Sequence, residues 1–245
     1  MDLGEVRQYL RRTGWGDFPD ILICANEPVA TRHPLYPEAK IGDPKAADGL
    51  IEDVLSVLSP DTFADMLQSG KPRLLAVHAV EAAGMNAIPH VFARRLAQQF
   101  GLQLETGIVQ INRVTHTKAD GYHRLAHPAV FDGTARPTDY VLVDDFVGQG
   151  GTFANLRGHV EAQGGQVTGA ISLAGKDRSA QLRPGQGTLQ RLREKHGIQF
   201  EEWWISTFGY GFDRLTESEA GYLFRSDDVV TITARLAEAR RTGNR

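Results

Sequence analysis

The segment YVLVDDFVGQGGT, residues 140–152, decides how the rest of the chain is interpreted. Four apolar residues run directly into two adjacent carboxylates, Asp144 and Asp145, and a turn with three glycines and a threonine follows. A short run of apolar residues is typical of a strand buried on both faces of a parallel sheet. Because ligands bind outside the carboxyl ends of such strands, the two carboxylates are predicted to lie where a ligand binds.

The turn at residues 148–152 has the composition of an anion-binding loop. Glycines allow backbone N–H groups to point inward as a nest, and the N-terminus of the helix that follows adds its dipole. Thr152 can cap that helix and bond a phosphate oxygen. A ligand that offers phosphate to this turn and vicinal hydroxyls to the carboxylates is a ribose 5-phosphate. The alternative is a plain chain reversal in which Asp144 caps the turn.

Outward from this segment, strand-like and helix-like patterns alternate from residue 71 onward, which predicts a parallel sheet covered by helices. The predicted strands are residues 20–25, 73–80, 106–114, 140–143 and 167–174, with an edge strand at 198–206. The predicted helices are residues 46–58, 61–69, 88–100, 152–165 and 188–197, and residues 207–245 are predicted to be mostly helical. Residues 115–139 are long, polar and aperiodic, and a loop that long inside a compact domain is usually functional or disordered.

Composition and charge narrow the class of protein. The chain has 245 residues, of which 41% are hydrophobic and 23% charged, as in ordinary globular domains. A net charge of -3 gives no electrostatic reason to expect nucleic acid as a partner. The sequence has no apolar run of about 20 residues and no signal-peptide pattern, so no membrane partner is expected. The single Cys24 suits a reducing compartment, and a cytoplasmic location is expected.

Residues 140–152 resemble, position by position, the signature of type I phosphoribosyltransferases: four apolar, two acidic and two apolar residues before a glycine-rich loop that ends in Ser or Thr. The resemblance implies an α/β fold in which helices flank a parallel sheet and a variable hood comes from the terminal segments. A single domain is therefore expected over residues 1–245, with a core at about 46–206. Residues 1–45 and 207–245 would then be the hood or an extension.

The same resemblance implies how phosphoribosyl diphosphate (PRPP) is bound. Asp144 and Asp145 would hold the ribose 2′- and 3′-hydroxyls, and the loop after them would hold the 5′-phosphate. The implied loop residues are Gly148, Gln149, Gly150, Gly151 and Thr152. Mg²⁺ is the implied cofactor, bound together with PRPP and without a direct protein ligand.

A second segment, VEAAGMNAIPHVFA at residues 80–93, resembles the diphosphate loop of the family. Together with the Asp-Asp-Phe signature, it is most similar to xanthine phosphoribosyltransferases and the related purine-operon repressors. The implied diphosphate-binding residues are Glu81, Ala82, Ala83, Gly84 and Met85, joined by Arg113 from the QINRV segment. Ala83 departs from the pattern, because many relatives have Arg or Lys there, and this removes a charge near the leaving group.

Further residues are assigned by their position relative to these loops. Residues 115–139 fall where the family has its mobile catalytic loop, with Lys118, His123 and Arg124 as candidate charges and Lys118 and Arg124 as the catalytic choice. Lys176 has the spacing of a lysine that donates to the exocyclic oxygen of 6-oxopurines. Gly148 stands where some purine enzymes have an acid. The aromatic residues at 203–204 and 208–212 would either line a base pocket or, more commonly, pack in the core.

The resemblance implies a transferase that moves the phosphoribosyl group from PRPP to a nucleobase-like acceptor, such as a 6-oxopurine, and releases diphosphate. The alternative is a non-catalytic PRPP sensor that acts through a protein partner. A metal-dependent phosphohydrolase would need further carboxylates at other strand ends, and the sequence has none convincingly placed. Relatives often form dimers, so a homodimer is also expected.

Overall fold

A parallel sheet and the helices around it make up most of the chain. The computed structural model describes residues 7–67, 70–78, 80–81, 84–112 and 120–242. The strands are β1 (Leu22–Asn26), β2 (Arg73–Ala76), β3 (Val80–Glu81), β4 (Gly84–Met85), β5 (Leu104–Glu105), β6 (Val109–Gln110), β7 (Phe131–Asp132), β8 (Asp139–Val147) and β9 (Gln166–Gly175). The helices are α1 (Glu27–Thr31), α2 (Tyr36–Lys40), α3 (Pro44–Leu55), α4 (Ala64–Leu67), α5 (Ile88–Phe100), α6 (Gly121–Ala126), α7 (Gly151–Glu161), α8 (Gln186–Phe208), α9 (Glu217–Arg225) and α10 (Val229–Thr242).

The central sheet has the strand order β1-β9-β8-β2-β5, and every neighbouring pair is parallel. Two small antiparallel pairs, β3 with β4 and β6 with β7, lie outside it. Helices cover both faces of the sheet, which confirms the predicted α/β class. Strand β1 belongs to this sheet, so the N-terminal segment contributes to it before the chain reaches residue 46.

Strand β8 shows why the sheet is buried on both sides. Val141 and Val143 belong to the apolar cluster under α3 and α5, whereas Tyr140 and Leu142 belong to the cluster under α7. All four side chains are fully buried. Alternate residues of a strand point to opposite faces, so an unbroken apolar run is what a strand covered on both faces requires.

Helix α5 confirms the prediction for residues 88–100. Pro89 lies in its first turn, where the missing N–H costs no intrahelical hydrogen bond. The helix ends at Gly101, whose φ of 65° is in the left-handed region that glycine adopts most easily. Its buried residues include Ile88, Val91, Phe92 and Leu96, which recur at helical spacing and pack against the sheet.

The prediction of an edge strand at residues 198–206 is wrong, because these residues continue helix α8 beyond a kink at Gly197. Phe200, Trp204 and Phe208 recur every four residues and are buried on one face. That spacing matches the period of a helix, and burial of the face outweighs the strand preference of the aromatic residues.

The single strand predicted at residues 106–114 is also wrong. Strand β5 ends at Glu105, whose side chain accepts hydrogen bonds from the N–H groups of Thr106 and Gly107 at 3.1 Å and 3.0 Å. This local turn directs the chain away from the sheet, and β6 then pairs with β7. Strand β2 is likewise shorter than predicted, and the β3–β4 hairpin follows it.

The C-terminal helices α8, α9 and α10 form a third apolar cluster that also includes α6. The rings of Tyr122 and Tyr222 meet edge to face at 5.0 Å, and His127 Nε2 lies 3.0 Å from the carbonyl oxygen of Ala239. Helix α6 and His127, within the segment 115–139, are therefore packed against the C-terminal helices, whereas β7 of the same segment pairs with β6. Among the described helices, none is both long and apolar enough to cross a membrane.

Candidate functional site

A cavity of about 430 Å³ opens where β1, β2 and β8 end at the same edge of the sheet. Its wall contains Asp144 and Asp145 together with the whole loop at residues 148–152, as the sequence predicts for a shared ligand site. Residues outside the recognised signature complete the wall, among them Arg12, Glu27, Thr31, Tyr36, Lys40, Asn86, Arg124, Tyr210 and Glu219. The N-terminal and C-terminal segments thus contribute to the same cavity.

The two carboxylates lie within strand β8 rather than after it, because β8 stays paired with β9 through Val147. Asp144 is opposite Ser172 in this register. Both aspartates are only 7% exposed, and the backbone N–H of Asp145 donates to Asp144 Oδ1 at 2.8 Å. Two adjacent carboxylates that are shielded from solvent repel each other strongly, unless one of them is protonated or a cation lies nearby.

A lysine supplies that cation. Lys40, the last residue of α2, places its Nζ 2.9 Å from Asp145 Oδ2. Burial alone would raise the pKa of Asp145, but Lys40 and hydrogen bonds from Lys40, Asp144 and Asn86 outweigh it, so the pKa lies below its usual value. Burial, and after it the charge of Asp145, raises the pKa of Asp144 well above its usual value. The site thus favours one protonated and one ionised carboxyl group.

The loop at residues 148–152 leads into α7 as predicted. Gly150 has φ of 79° and precedes the first helical residue, a conformation that favours glycine. The N–H groups in the first turn of a helix have no intrahelical partner and carry partial positive charge, so they suit an anion. Thr152 lines the cavity beside them. The arrangement can therefore hold a phosphate near the two aspartates.

Side chains from both ends of the chain hold this loop from behind. Thr216 Oγ1 donates to the carbonyl oxygen of Gln149 at 2.5 Å. Arg12 forms two hydrogen bonds with Glu219, at 2.5 Å and 2.8 Å, and its Nε donates to Asn155 of α7 at 2.7 Å. A β-carbon on Gly151 would lie 2.6 Å from Glu219 Oε1, so this carboxylate is next to the loop and its charge is neutralised by Arg12.

Arg124 is the predicted catalytic residue whose position is described, and it lies on α6 in the cavity wall. A β-carbon on Gly148 would lie 2.5 Å from Arg124 Nη1, so the guanidinium is directly beside the loop at residues 148–152, here called the phosphate loop after its predicted role. Burial lowers the pKa of Arg124, and the charges of Glu27 and Asp120 oppose that effect. His123, on the same helix, lies next to His127 with ring centroids 4.4 Å apart and ring planes tilted by 43°.

Lys176, the predicted base-binding residue, follows β9 at the edge of the sheet where the cavity opens. Its Nζ lies 3.3 Å from Glu27 Oε2, and Glu27 lines the cavity. Lys176 is about half exposed and lies beside the cavity rather than in its wall. An acceptor that fills the cavity would therefore meet Glu27 before Lys176.

The predicted diphosphate residues are only partly described. Glu81 and Gly84 pair in the β3–β4 hairpin, and Met85 is half exposed next to Asn86, which lines the cavity. Ala82, Ala83, Arg113 and Lys118 lie outside the described residues. Their predicted roles stay predictions.

Sequence reasoning did not identify several residues of the cavity wall, among them four charged ones: Arg12, Glu27, Lys40 and Glu219. No motif marks them, because they lie in the terminal segments and reach the cavity only through tertiary packing. One signal was present in the sequence. Thr216 and Glu219 have the spacing of a capping box at the start of α9, and the structure shows both of its hydrogen bonds.

Comparison with known proteins gives two curated relatives and a group of solved structures. No family model matches the chain. The chain is 40% identical over 230 residues to the protein TraN of Escherichia coli, an alignment that covers 94% of this chain and 51% of TraN. It is 35% identical over 157 residues to an uncharacterized protein of Haemophilus influenzae, covering 64% of this chain and 35% of that protein. The chain thus spans about half the length, or less, of these curated relatives.

Solved structures similar to the chain include adenine phosphoribosyltransferases. One covers 72% of this chain and 90% of its own, with 12% identity and a TM-score of 0.37. The enzyme from Saccharomyces cerevisiae, in complex with adenine, covers 72% and 89%, with 11% identity and a TM-score of 0.37. These values are too low to identify the activity or the acceptor of this chain, and the resemblance of its loops to the xanthine-type subgroup stays a prediction.

Proposed function

We propose that this chain is a type I phosphoribosyltransferase, which transfers the phosphoribosyl group from PRPP to a nitrogen of a nucleobase-like acceptor and releases diphosphate. One observation carries the proposal. Asp144, Asp145 and the loop at residues 148–152 line one cavity at the carboxyl end of a parallel sheet. Carboxylates suit the ribose hydroxyls and the start of α7 suits the 5′-phosphate, so the cavity has complementary groups for both ends of a ribose 5-phosphate.

The residues of the site support a division of roles. The ionised Asp145 and the protonated Asp144 can accept from and donate to the vicinal hydroxyls. Helix α7 and its loop fix the phosphate end, so C1 of the sugar is held facing the remainder of the cavity. The acceptor would enter between α1 and α6, where Glu27 and Arg124 line the wall. Arg124, beside Gly148, is proposed to balance the negative charge of the 5′-phosphate while the transfer takes place.

Mg²⁺ is proposed to enter with PRPP. The described residues contain no group of three His, Cys, Asp or Glu side chains that could hold a metal ion. Mg²⁺ held mainly by oxygens of the ligand is therefore part of the proposal. When bound, such an ion supplies positive charge to the leaving diphosphate.

A 6-oxopurine, or another ring with an exocyclic carbonyl, is the proposed acceptor class. Lys176 supports it as a donor at the rim of the cavity, and its ion pair with Glu27 fixes the lysine near the opening. Glu27 can accept a hydrogen bond from a ring N–H of the same acceptor.

A second candidate is a PRPP sensor that acts through a protein partner. The packing of α6 against α9 and α10 favours it, because that part of the segment 115–139 is not free to close over the ligand as a mobile catalytic loop does. The transferase remains the primary proposal, because both aspartates, the loop at residues 148–152 and Arg124 line the same cavity.

The test is an assay of diphosphate release from PRPP with Mg²⁺ and a panel of bases, combined with calorimetry of PRPP binding. Base-dependent release supports the transferase. Tight PRPP binding without release for any base supports the sensor. Absence of PRPP binding by the folded protein would refute both candidates.

A further inference from the structure

Helix α2 packs against the β3–β4 hairpin, which the resemblance assigns to diphosphate binding. The backbone N–H of Ala87 donates to the carbonyl oxygen of Ala39 at 3.2 Å. A β-carbon on Gly42 would lie 2.9 Å from the carbonyl oxygen of Met85. The C-terminal end of α2 therefore lies directly against the end of the β3–β4 hairpin.

Lys40 extends from this end of α2 into the cavity. Its side chain is 19% exposed, and its Nζ is 2.9 Å from Asp145 Oδ2, an atom of a carboxyl group that is 8% exposed. Asn86, at the other side of the same junction, also hydrogen-bonds Asp145. Lys40 thus lies between the ribose carboxylates and the hairpin, where the diphosphate of PRPP would be.

The sequence of the hairpin supplies no positively charged side chain of its own. Residues 81–85 contain Glu81 and no Lys or Arg, and Ala83 stands where many members of the resembled family have a cation. A diphosphate brings several negative charges next to two aspartates, which costs free energy unless positive charge is supplied.

The cations in the described wall of the cavity are Arg12, Lys40 and Arg124. Arg12 is engaged by Glu219 and Asn155 behind the phosphate loop. Arg124 lies beside Gly148, on the phosphate side. Lys40 is the member of this set that lies next to both the aspartates and the hairpin.

We propose that Lys40 is the cationic residue of the diphosphate subsite, an inference that rests on the proposed function. Without ligand, the ammonium group is held by Asp145. When PRPP binds, a ribose hydroxyl takes the place of the ammonium group at Asp145, and Lys40 donates to an oxygen of the diphosphate. The lysine therefore changes partners while remaining charged, and no covalent bond is made or broken.

This exchange predicts different effects for ligands with and without diphosphate. Removing the charge should weaken the binding of PRPP and inorganic diphosphate. Ribose 5-phosphate lacks the diphosphate, and it must displace Lys40 from Asp145 without any compensation. Its binding should therefore stay the same or become tighter when Lys40 is replaced.

The experiment is calorimetry with PRPP and Mg²⁺, inorganic diphosphate, and ribose 5-phosphate on the wild-type protein and on Lys40→Met, Lys40→Gln and Lys40→Arg. Lys45→Met is the matched control, because Lys45 is exposed at the start of α3 and carries the same charge. Circular dichroism verifies that each variant is folded. Lys40→Met and Lys40→Gln should bind PRPP and diphosphate at least about tenfold more weakly, as expected for a lost charge-assisted hydrogen bond. Lys40→Arg and Lys45→Met should stay close to wild type.

An equal loss for all three ligands would show a structural role and overturn the inference, as would unchanged binding of PRPP and diphosphate by Lys40→Met. In both cases the proposed function stands, because the wild-type protein binds PRPP. If the folded wild-type protein binds neither PRPP nor ribose 5-phosphate, the proposed function fails and this inference fails with it.

Discussion

Arg12 and Glu219 form a two-hydrogen-bond ion pair, with distances of 2.5 Å and 2.8 Å, that joins the N-terminal segment to α9 behind the phosphate loop. The side chains are 3% and 4% exposed, and Arg12 also lies over the ring of Tyr210 at 4.5 Å. Neither residue belongs to the signature segment. The pair nevertheless lies next to Gly151, so the conformation of the phosphate loop depends on residues far from it in sequence.

Replacing Arg12 should test this dependence. Arg12→Met leaves Glu219 buried without its cation, which should lower the free energy of unfolding by about 3–5 kcal/mol. The double variant Arg12→Met with Glu219→Met removes both charges and should recover part of that loss, although it also removes the capping box of α9. Urea unfolding of the two single variants and the double variant measures the coupling. Strictly additive losses would show that the two side chains do not interact.

The two carboxylates of the signature should both be needed for PRPP. Asp144→Asn combined with Asp145→Asn should weaken PRPP binding by at least about tenfold, because each charge-assisted hydrogen bond is worth roughly 1.5–3 kcal/mol. Asp20→Asn is a suitable control, since Asp20 is exposed at the surface before β1. Unchanged PRPP affinity in the folded double variant, measured by calorimetry, would contradict the assignment.

Stability without ligand should depend on pH through Asp144. Its pKa is raised in the folded protein, so its contribution is complete below the usual aspartate pKa of about 3.9 and is lost as the pH rises through the raised pKa. Asp145, with a lowered pKa, has the opposite dependence: its contribution is present above the usual value and is lost as the pH falls.

Asp144→Asn removes the titrating group whose contribution to stability is lost as the pH rises, and it leaves Asp145 in place. The difference in Tm between Asp144→Asn and wild type should therefore grow in favour of the variant as the pH rises above about 4. Thermal unfolding at a series of pH values, without ligand, measures this difference. A difference that is constant with pH would mean that Asp144 titrates normally.

The backbone conformation of Gly150 should be required for the phosphate loop. Gly150→Ala introduces a β-carbon at φ of 79° and against the side chain of Leu182, which should cost about 1–2 kcal/mol of stability and weaken binding of ribose 5-phosphate. Gly187→Ala is the control, because no atom lies near its added β-carbon and it lies within α8. The control should be neutral or stabilising. Equal effects of the two substitutions on unfolding would rule out strain at Gly150.

The preference of the protein among acceptor bases should test the role of Lys176. If Lys176 donates to an exocyclic carbonyl, xanthine, guanine and hypoxanthine should be better acceptors than adenine in the diphosphate-release assay. Lys176→Met should then reduce kcat/KM for those bases by about tenfold, the value of one charge-assisted hydrogen bond. Preference of the wild-type protein for adenine would mean that the assignment of Lys176 is wrong.

The fold was predictable where the apolar residues follow a clear pattern along the sequence. The apolar run before Asp144 and the amphipathic pattern of residues 88–100 each have one structural solution, and the structure shows the expected strand and helix. Residues 198–206 contain the two adjacent tryptophans, which favour a strand by propensity. Their burial in the C-terminal cluster, beside Phe200 and Phe208, is a tertiary effect that local preference does not contain.

The site was predictable only where its residues are close together in the sequence. Asp144, Asp145 and the loop after them are adjacent in sequence, so a local pattern reveals them. Lys40 and Glu219 come from opposite ends of the chain and reach the cavity because α2 packs against the hairpin and α9 packs behind the loop. Such partners depend on the packing of whole elements and leave no spacing that a motif could record.

Helix α10 supports the cavity indirectly, because it packs against α6 and α6 contributes to the cavity wall. None of the residues of α10 lines the cavity, yet the helix packs against α6, and His127, just after α6, bonds the carbonyl group of Ala239. Arg124 reaches the cavity from α6. A protease that removed α10 would therefore remove none of the described residues that line the cavity, but it would remove the helix that packs against α6, which carries Arg124.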